Sequence, residues 1–183
     1  LETDDRADVA KEAVAQSVAV IADSARASAM TGGPTVVEQA LAALAPDLTL
    51  KPLSGVPEVA EDLTPYAAIV IDDPPGLSPG ARVALTAWLE RGGVALALLG
   101  PAATQVQLAA SLEPFIRQGA QWEAGPAMKL NSKSLQWLGP EAGSLVELNN
   151  QGRVRLDAAD LPDTEISGSW SDGVPFLFRR SVG

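Results

Sequence analysis

Two consecutive aspartates, Asp72 and Asp73, are the most promising acid–base groups in this chain of 183 residues. They follow Ala67–Ile71, an apolar run rich in β-branched residues that predicts a short buried strand. Paired carboxylates at a strand end can bind Mg²⁺ or act as a general base. Asp73 also precedes Pro74, and aspartate before proline is typical of a simple turn. The turn is the favoured interpretation, because no third acidic ligand can be identified from the sequence.

The loops after two other apolar runs supply the remaining candidate groups. Val18–Ala22 and Val94–Leu99 both predict buried strands. Because α/β folds place their chemistry at the carboxyl ends of parallel strands, we expect any binding surface to lie there. The candidate binding residues are Asp23, Ser24, Asp72, Asp73, Gly100, Ala102 and Thr104. The glycine pair Gly32-Gly33 lacks the spacing of a phosphate-binding motif, so we interpret it as a structural turn.

Composition excludes several classes of function. The chain has no cysteine and no histidine, which closes it to disulfides, thiolate nucleophiles, His-dependent triads and most zinc sites. No cofactor and no metal site are predicted. The net charge of −10 repels a phosphate backbone, so nucleic acid is not an expected partner. No run approaches the roughly 18 apolar residues that cross a bilayer, and we expect no direct membrane insertion.

Helices are predicted between these strands from the spacing of apolar residues. They cover Thr35–Leu44, Pro79–Arg91 and Thr104–Arg117. The apolar positions expected to face the sheet are Val37, Leu41 and Leu44 in the first helix, and Val83, Ala84, Ala87 and Trp88 in the second. A brief helix is also predicted within Val56–Leu63.

The strands differ in the position that their composition predicts. Leu48–Leu50 is expected near a sheet edge, because Pro52 follows it. Ala67–Ile71 and Val94–Leu99 are apolar throughout, which is typical of strands in the middle of a parallel sheet. The sequence therefore predicts an α/β core with a central parallel sheet.

Beyond residue 120 the pattern changes to short apolar segments separated by turn residues, which predicts a β-rich, antiparallel extension. Asn150-Gln151-Gly152 is interpreted as a hairpin turn between Leu145–Leu148 and Val154–Leu156. The tryptophans of this half are expected in the core of a small sheet: Trp122, Trp137 and Trp170.

Three segments follow from these patterns. Residues 1–17 are a linker or the tail of a preceding domain, 18–119 the α/β core, and 120–183 a β-rich extension that packs on the core. The chain begins without Met, and we expect it to be a piece of a larger protein.

The order of elements from Val18 to Ala103 resembles the class I glutamine amidotransferase-like fold, a flavodoxin-like three-layer sandwich. The chain is most similar to the degenerate amidotransferase-like domain of bacterial aerotolerance-type (Bat-like) membrane proteins, which also carry a von Willebrand factor A domain. Leu1–Arg6 is similar to the acidic segment before the first strand of such domains. Trp170–Pro175 is similar to their Trp-x-x-Gly-x-Pro strand. The resemblance implies an extracytoplasmic domain of a membrane-anchored protein.

One departure from the resembled family bears on activity. An active amidotransferase carries its nucleophile in G-x-C-x-G after the strand that corresponds to Val94–Leu99, and Ala102 stands at that cysteine position here. The general-base histidine is missing as well. Without thiolate and imidazole, we expect no glutaminase activity.

The resemblance therefore implies a non-catalytic interaction or assembly module. Its expected partners are other proteins or neighbouring domains of the same chain, including a von Willebrand factor A type domain. Two alternatives stay open. One is a small-molecule or carbohydrate-binding domain that uses the strand-end loops. The other is a carboxylate- or metal-dependent hydrolase that uses Asp23, Asp72 or Asp73.

Overall fold

We describe residues 17–22, 33–106, 108–117, 120–125, 129–141, 150–157, 161 and 163–183 of a computed structural model. The predicted linker at 1–17 lies outside the described residues except for its last residue. The candidates Asp23 and Ser24 and the predicted strand Leu145–Leu148 also lie outside them.

Four parallel strands form the central sheet. They are β1 (Ser17–Ala22), β2 (Thr49–Leu53), β3 (Ala68–Asp72) and β4 (Val94–Leu98). Their order is β2-β1-β3-β4, with every neighbouring pair parallel. The prediction of an α/β core with a parallel sheet is confirmed. The edge position predicted for Leu48–Leu50 is confirmed for β2, although the strand continues to Leu53 and includes Pro52.

β1 and β3 make the buried middle of the sheet. Val20 pairs with Val70 and Ile21 with Ile71, and all four side chains are buried. Adjacent residues of a strand point to opposite faces, so a strand that is buried throughout needs cover on both sides. β3 therefore lies where its apolar composition predicts.

β4 lies at an edge of the sheet, and the prediction of a central position for it is wrong. Val94, Leu96 and Leu98 share one face and are 61%, 44% and 37% exposed. Among the described residues, β4 pairs with β3 alone. An uninterrupted apolar run predicts a strand whether or not another strand pairs with its outer side. This pattern therefore does not distinguish a strand in the middle of the sheet from one at its edge.

Two helices connect these strands. Helix α1 (Val36–Leu44) begins with a capping box, in which the Thr35 hydroxyl accepts from the Glu38 N–H and the Glu38 carboxylate accepts from the Thr35 N–H. Helix α2 (Pro79–Glu90) is capped by Ser78, whose hydroxyl accepts from the Ala81 N–H. Both helices begin and end within two residues of their predicted bounds.

The apolar faces of these helices were predicted only in part. Ala84 and Trp88 of α2 are buried, whereas Val83 of the same predicted stripe is exposed. In α1 the side chain of Leu44 is exposed, so its prediction is also wrong. Leu44 is the last residue of the helix, where a side chain can turn away from the sheet. The predicted brief helix is a 3₁₀ turn, Ala60–Leu63.

A first core lies between the sheet and α2. Its buried members are Ala19, Ile21, Leu63, Ile69, Ile71, Leu77, Ala81, Ala84, Leu85 and Trp88. Gly93 allows the chain to turn from α2 into β4, because a Cβ there would lie 2.4 Å from the Trp88 ring. The join between helix and strand is therefore tightly packed.

The predicted helix Thr104–Arg117 is wrong over its described residues. The chain instead forms a 3₁₀ turn, Ala102–Thr104, and then an antiparallel bridge in which Ser111 exchanges two backbone hydrogen bonds with Leu77. Because the N–H and C=O of Ser111 bond to Leu77, they are not available for hydrogen bonds within a helix. Pro114, which has no N–H, adds a further obstacle.

The C-terminal half is antiparallel, as predicted. β5 (Gln121–Ala124) pairs with β6 (Gly152–Arg155), and β7 (Thr164–Ser169) pairs with β8 (Pro175–Arg180). The predicted hairpin turn places Gly152 before the second strand, but Gly152 lies inside β6 and pairs with Ala124.

The three tryptophans of this half do not share one environment. Trp170 is buried, as predicted, and Trp122 is half-buried. Trp137 is exposed and donates its indole N–H to the Ser167 carbonyl, so its predicted core position is wrong. A polar partner at the surface makes burial of this ring unnecessary.

A second core joins this half to the end of β4. It consists of Ala103, Leu112, Ile116, Val154, Leu156 and Leu161. Ala103 belongs to the loop after β4 and Val154 belongs to β6, so the second core fixes that loop against the C-terminal strands.

Candidate functional site

Asp73 is the best-defined of the predicted site residues. It directly follows β3 and continues the pairing with β4, because its N–H donates to the Leu98 carbonyl at 2.8 Å. Its φ of 48° lies in the left-handed region, which aspartate tolerates better than most residues. The residue is only 2% exposed. A buried carboxylate requires hydrogen-bond donors around it.

The donors are backbone N–H groups of the loop after β4. Asp73 Oδ1 accepts from Gly100 and from Ala103, both at 2.9 Å, and Oδ2 accepts from Ala102 at 3.1 Å. Ala102 and Ala103 begin the 3₁₀ turn, where backbone donors lack partners within the turn, and Gly100 lies two residues before it. We call this arrangement the Asp73 clasp, comprising Asp73, Gly100, Ala102 and Ala103.

The Asp73 clasp leaves no room for a side chain at position 100, which is glycine. A Cβ at this position would lie 2.7 Å from both Cγ and Oδ2 of Asp73. The same residue donates its N–H to Oδ1. Glycine therefore allows the backbone to approach the carboxylate closely.

The clasp limits the chemistry that this strand end can perform. In acyl-transfer enzymes, backbone N–H groups at such a turn stabilise the developing oxyanion. Here the same kind of donors bind the protein's own carboxylate, and both oxygens of that carboxylate accept hydrogen bonds. Among the described residues, no group of three or more acidic side chains is placed to hold a metal ion.

The other predicted site residues are only partly brought together. Asp72 pairs in register with Ala22 and Leu98 and is half-buried, next to the clasp in sequence. Thr104 donates its hydroxyl to the Pro101 carbonyl at 2.7 Å. It also lines a cavity of about 320 Å³ together with Ser111 and Arg117.

A larger concavity lies elsewhere. A groove of about 960 Å³ runs between β4 and the C-terminal strands, and none of the described strand-end candidates lines it. β4 contributes Val94–Leu98 without a gap, and β8 contributes Pro175–Arg180 without a gap. The aromatic residues of its walls are Phe115, Trp122, Trp170, Phe176 and Phe178. We call it the β4 groove.

Arg153 organises one wall of the β4 groove. Its guanidinium donates Nη1 and Nη2 to the two carboxylate oxygens of Asp172, at 2.9 and 2.6 Å, and Nε to Glu123 at 2.8 Å. Its Cζ lies 5.8 Å from the centre of the Trp170 ring, within reach of a cation–π contact. Trp170 in turn meets Phe176 edge to face, with ring centres 5.3 Å apart.

These ion pairs shift the titration of the groups involved. Hydrogen bonds from Arg153 hold the pKa of Asp172 and that of Glu123 below their ordinary values, and Arg155 adds to the effect on Glu123. The Asp172 hydrogen bonds raise the pKa of the Arg153 guanidinium. The buried arginine is therefore charged and fully paired at neutral pH.

Sequence reasoning missed the β4 groove and its arginine. The groove joins β4 to β6 and β8, which lie more than 50 residues further along the chain, and local patterns carry no information about that contact. One signal was present: β2 contains Lys51 and Pro52, whereas β4 contains neither charge nor proline. That difference separates a protected edge from an unprotected one.

Comparison with known proteins adds no relative to this description. Scans against protein-family models, curated proteins and solved structures found no match for the chain.

Proposed function

We propose that this chain is a non-catalytic interaction module with a flavodoxin-like, three-layer core of the amidotransferase-like type. The strand order β2-β1-β3-β4, with all four strands parallel, supports that core. This order reverses direction between β1 and β3, as in doubly wound folds.

The Asp73 clasp carries the non-catalytic part of the proposal. A turn that works in acyl transfer presents a nucleophile and leaves backbone N–H groups open for substrate. In this chain Ala102 stands at the nucleophile position, and its N–H, with those of Gly100 and Ala103, binds Asp73. That these N–H groups bind the protein's own carboxylate supports a non-catalytic role for the loop.

The parent protein and its location belong to the same proposal. We place the module in a larger, membrane-anchored bacterial protein, on the extracytoplasmic side, in contact with other proteins or with a neighbouring von Willebrand factor A type domain. Among the described residues, no helix is long and apolar enough to cross a membrane. The net charge of −10 argues against nucleic acid as the partner.

Two alternatives have less support from the described residues. A ligand in the strand-end loops would compete with the clasp for the backbone donors of Gly100 and Ala102. A metal-dependent hydrolase would need further oxygen ligands beside Asp73, whose two carboxylate oxygens already accept three hydrogen bonds.

A direct activity assay tests the proposal. The purified chain is incubated with glutamine and with small activated esters, with and without Mg²⁺, and release of ammonia or alcohol is measured. We expect no release above buffer. Turnover by the wild-type chain that disappears in Asp73→Asn would place a working acid–base group in the clasp and overturn the proposal.

A further inference from the structure

The β4 groove has a lining that suits one kind of occupant. We propose that it binds an extended apolar peptide segment of a partner protein, one that carries a carboxylate, by adding a strand to the free edge of β4. This inference rests on the proposed function as an interaction module and names the chemistry of the partner.

Two residues of β4 have backbone groups that pair with no other described strand. The Leu98 carbonyl accepts from Asp73, so the backbone groups of Leu98 point towards β3. In a strand, the N–H and C=O of one residue point to the same side, and the side alternates from each residue to the next. The N–H and C=O groups of Ala95 and Ala97 therefore point away from β3. Both alanines line the groove. Among the described residues, no strand pairs with this edge.

The two edges of the sheet differ in the way that strand addition predicts. β2 carries Lys51 and Pro52, and both are exposed. Charge and proline are the usual means of preventing an edge from pairing with another chain. β4 has the composition Val-Ala-Leu-Ala-Leu and contains neither. Only the β4 edge therefore remains suited to pairing.

The charge of the groove specifies the partner further. Among the described lining residues, the charged ones are Arg153, Arg179 and Arg180, and no aspartate or glutamate is present. Arg153 and Arg179 already pair with carboxylates. Arg180 donates to the Pro114 carbonyl at 2.8 Å and, within the described residues, has no carboxylate partner. A partner segment with an acidic side chain or a terminal carboxylate would supply one.

The size of the groove suits a peptide, and its polar backbone groups favour a peptide over a lipid. At about 3.3 Å per residue, a strand beside the five residues of β4 spans roughly 16 Å. The groove volume of about 960 Å³ lies near the upper end of ligand sites, about 300–1,000 Å³. A fatty acid would satisfy the apolar walls and Arg180 but would leave the backbone groups of Ala95 and Ala97 without partners.

The first experiment uses a displayed library of random seven-residue peptides, selected on the full chain. We expect enrichment of sequences with alternating apolar residues and at least one acidic residue. Failure to enrich any sequence, or enrichment of basic sequences, would overturn the inference.

The second experiment measures the affinity of the best selected peptide by fluorescence polarisation. Ala97→Pro removes one groove-facing N–H and leaves the pairing with β3 intact, so affinity should fall at least about five- to tenfold. Arg180→Gln should lower affinity by a similar factor for the acidic peptide and leave its glutamine analogue unaffected. The control Arg91→Gln removes an exposed charge outside the groove and should change neither.

A third measurement does not depend on the folding of any variant. N-methylation of the peptide at successive positions should weaken binding at alternate residues only, because a paired strand uses every second N–H. Uniform effects, together with displacement of the peptide by oleate, would indicate an anionic amphiphile site and overturn strand addition. Failure of all three with no catalytic turnover would leave the proposed non-catalytic module standing, whereas turnover would remove that proposal itself.

Discussion

The carboxyl end of β4 and its outer edge differ in how their backbone groups are hydrogen-bonded. At its carboxyl end, the N–H groups of Gly100, Ala102 and Ala103 all bind the buried carboxylate of Asp73. Along its side, Ala95 and Ala97 line an open groove with aromatic walls. The same strand thus combines a closed terminus with an open edge.

This difference indicates where a partner can bind to β4. Buried backbone groups without partners are costly, so the donors after β4 need an acceptor within the protein. The groove is accessible to solvent, and water can satisfy the edge of β4 until another strand replaces it. Binding at the end would require the clasp to break, whereas binding at the edge would only displace water.

Removing the clasp gives the largest expected effect. Asp73→Ala leaves one buried and two partly buried N–H groups without this acceptor and places alanine at a φ of 48°, so we expect a loss of about 3–5 kcal/mol in the free energy of unfolding. Asp73→Asn tolerates that backbone conformation and should cost less. Urea denaturation measures both.

The matched control for this variant is Asp47→Ala. Asp47 is exposed in a turn and makes no hydrogen bond or ion pair among the described residues, so its loss should change stability by less than about 0.5 kcal/mol. If Asp73→Ala cost no more than Asp47→Ala, the clasp would not hold the end of β4.

At the carboxyl end of β4, part of the Asp73 clasp could be predicted from the sequence and part could not. The strand before Asp73 and the turn at Gly100 are local properties, and sequence reasoning predicted them. It did not predict that the carboxylate of Asp73 reaches across to the loop 27–30 residues later. Strand order decides that contact, and strand order is not encoded in either loop.

The open edge was predicted incorrectly for a related reason. Hydrophobic periodicity distinguishes a half-buried strand from a fully apolar one, but β4 and the first four residues of β3 are both apolar throughout. Only the contacts with other strands distinguish the middle of the sheet from its edge. The prediction of a helix after β4 was also wrong because of a contact distant in sequence. The bridge from Ser111 to Leu77 overrides the local helix propensity.

Crowding the clasp should have a smaller effect than removing it. Gly100→Ala brings a methyl group to within 2.7 Å of the Asp73 carboxylate, so we expect a loss of about 1–3 kcal/mol in stability, measured by urea denaturation. Gly55→Ala is the control, because a Cβ there meets nothing within 4 Å and φ is not in the left-handed region. Equal effects of the two variants would contradict the close approach at Gly100.

The groove wall should respond to acid. The pKa values of Asp172 and Glu123 lie below their ordinary values of 3.8 and 4.5, because both carboxylates pair with Arg153. Their contribution is therefore complete above about pH 4.5 and is lost as the pH falls through the lowered pKa values.

Thermal melting between pH 3 and pH 7 measures this loss. Asp172→Asn should flatten the decline at low pH, whereas Asp47→Asn should leave it unchanged. An unaltered decline in Asp172→Asn would show that Arg153 does not govern the acid sensitivity of the wall.

The smallest effect is expected on the open edge, where Leu96 offers the sharpest comparison. Leu96 pairs in register with Val70 on the same face of the sheet, yet Leu96 is 44% exposed and Val70 only 5%. Val70→Thr buries a hydroxyl and should cost about 1–3 kcal/mol. Leu96→Thr introduces a β-branched residue, which strands favour, at a position that faces water, and should change stability by less than about 1 kcal/mol. Urea denaturation of the two variants at equal protein concentration measures both losses: equal losses would mean that this face of β4 is covered in solution, and a smaller loss in Leu96→Thr that it is open.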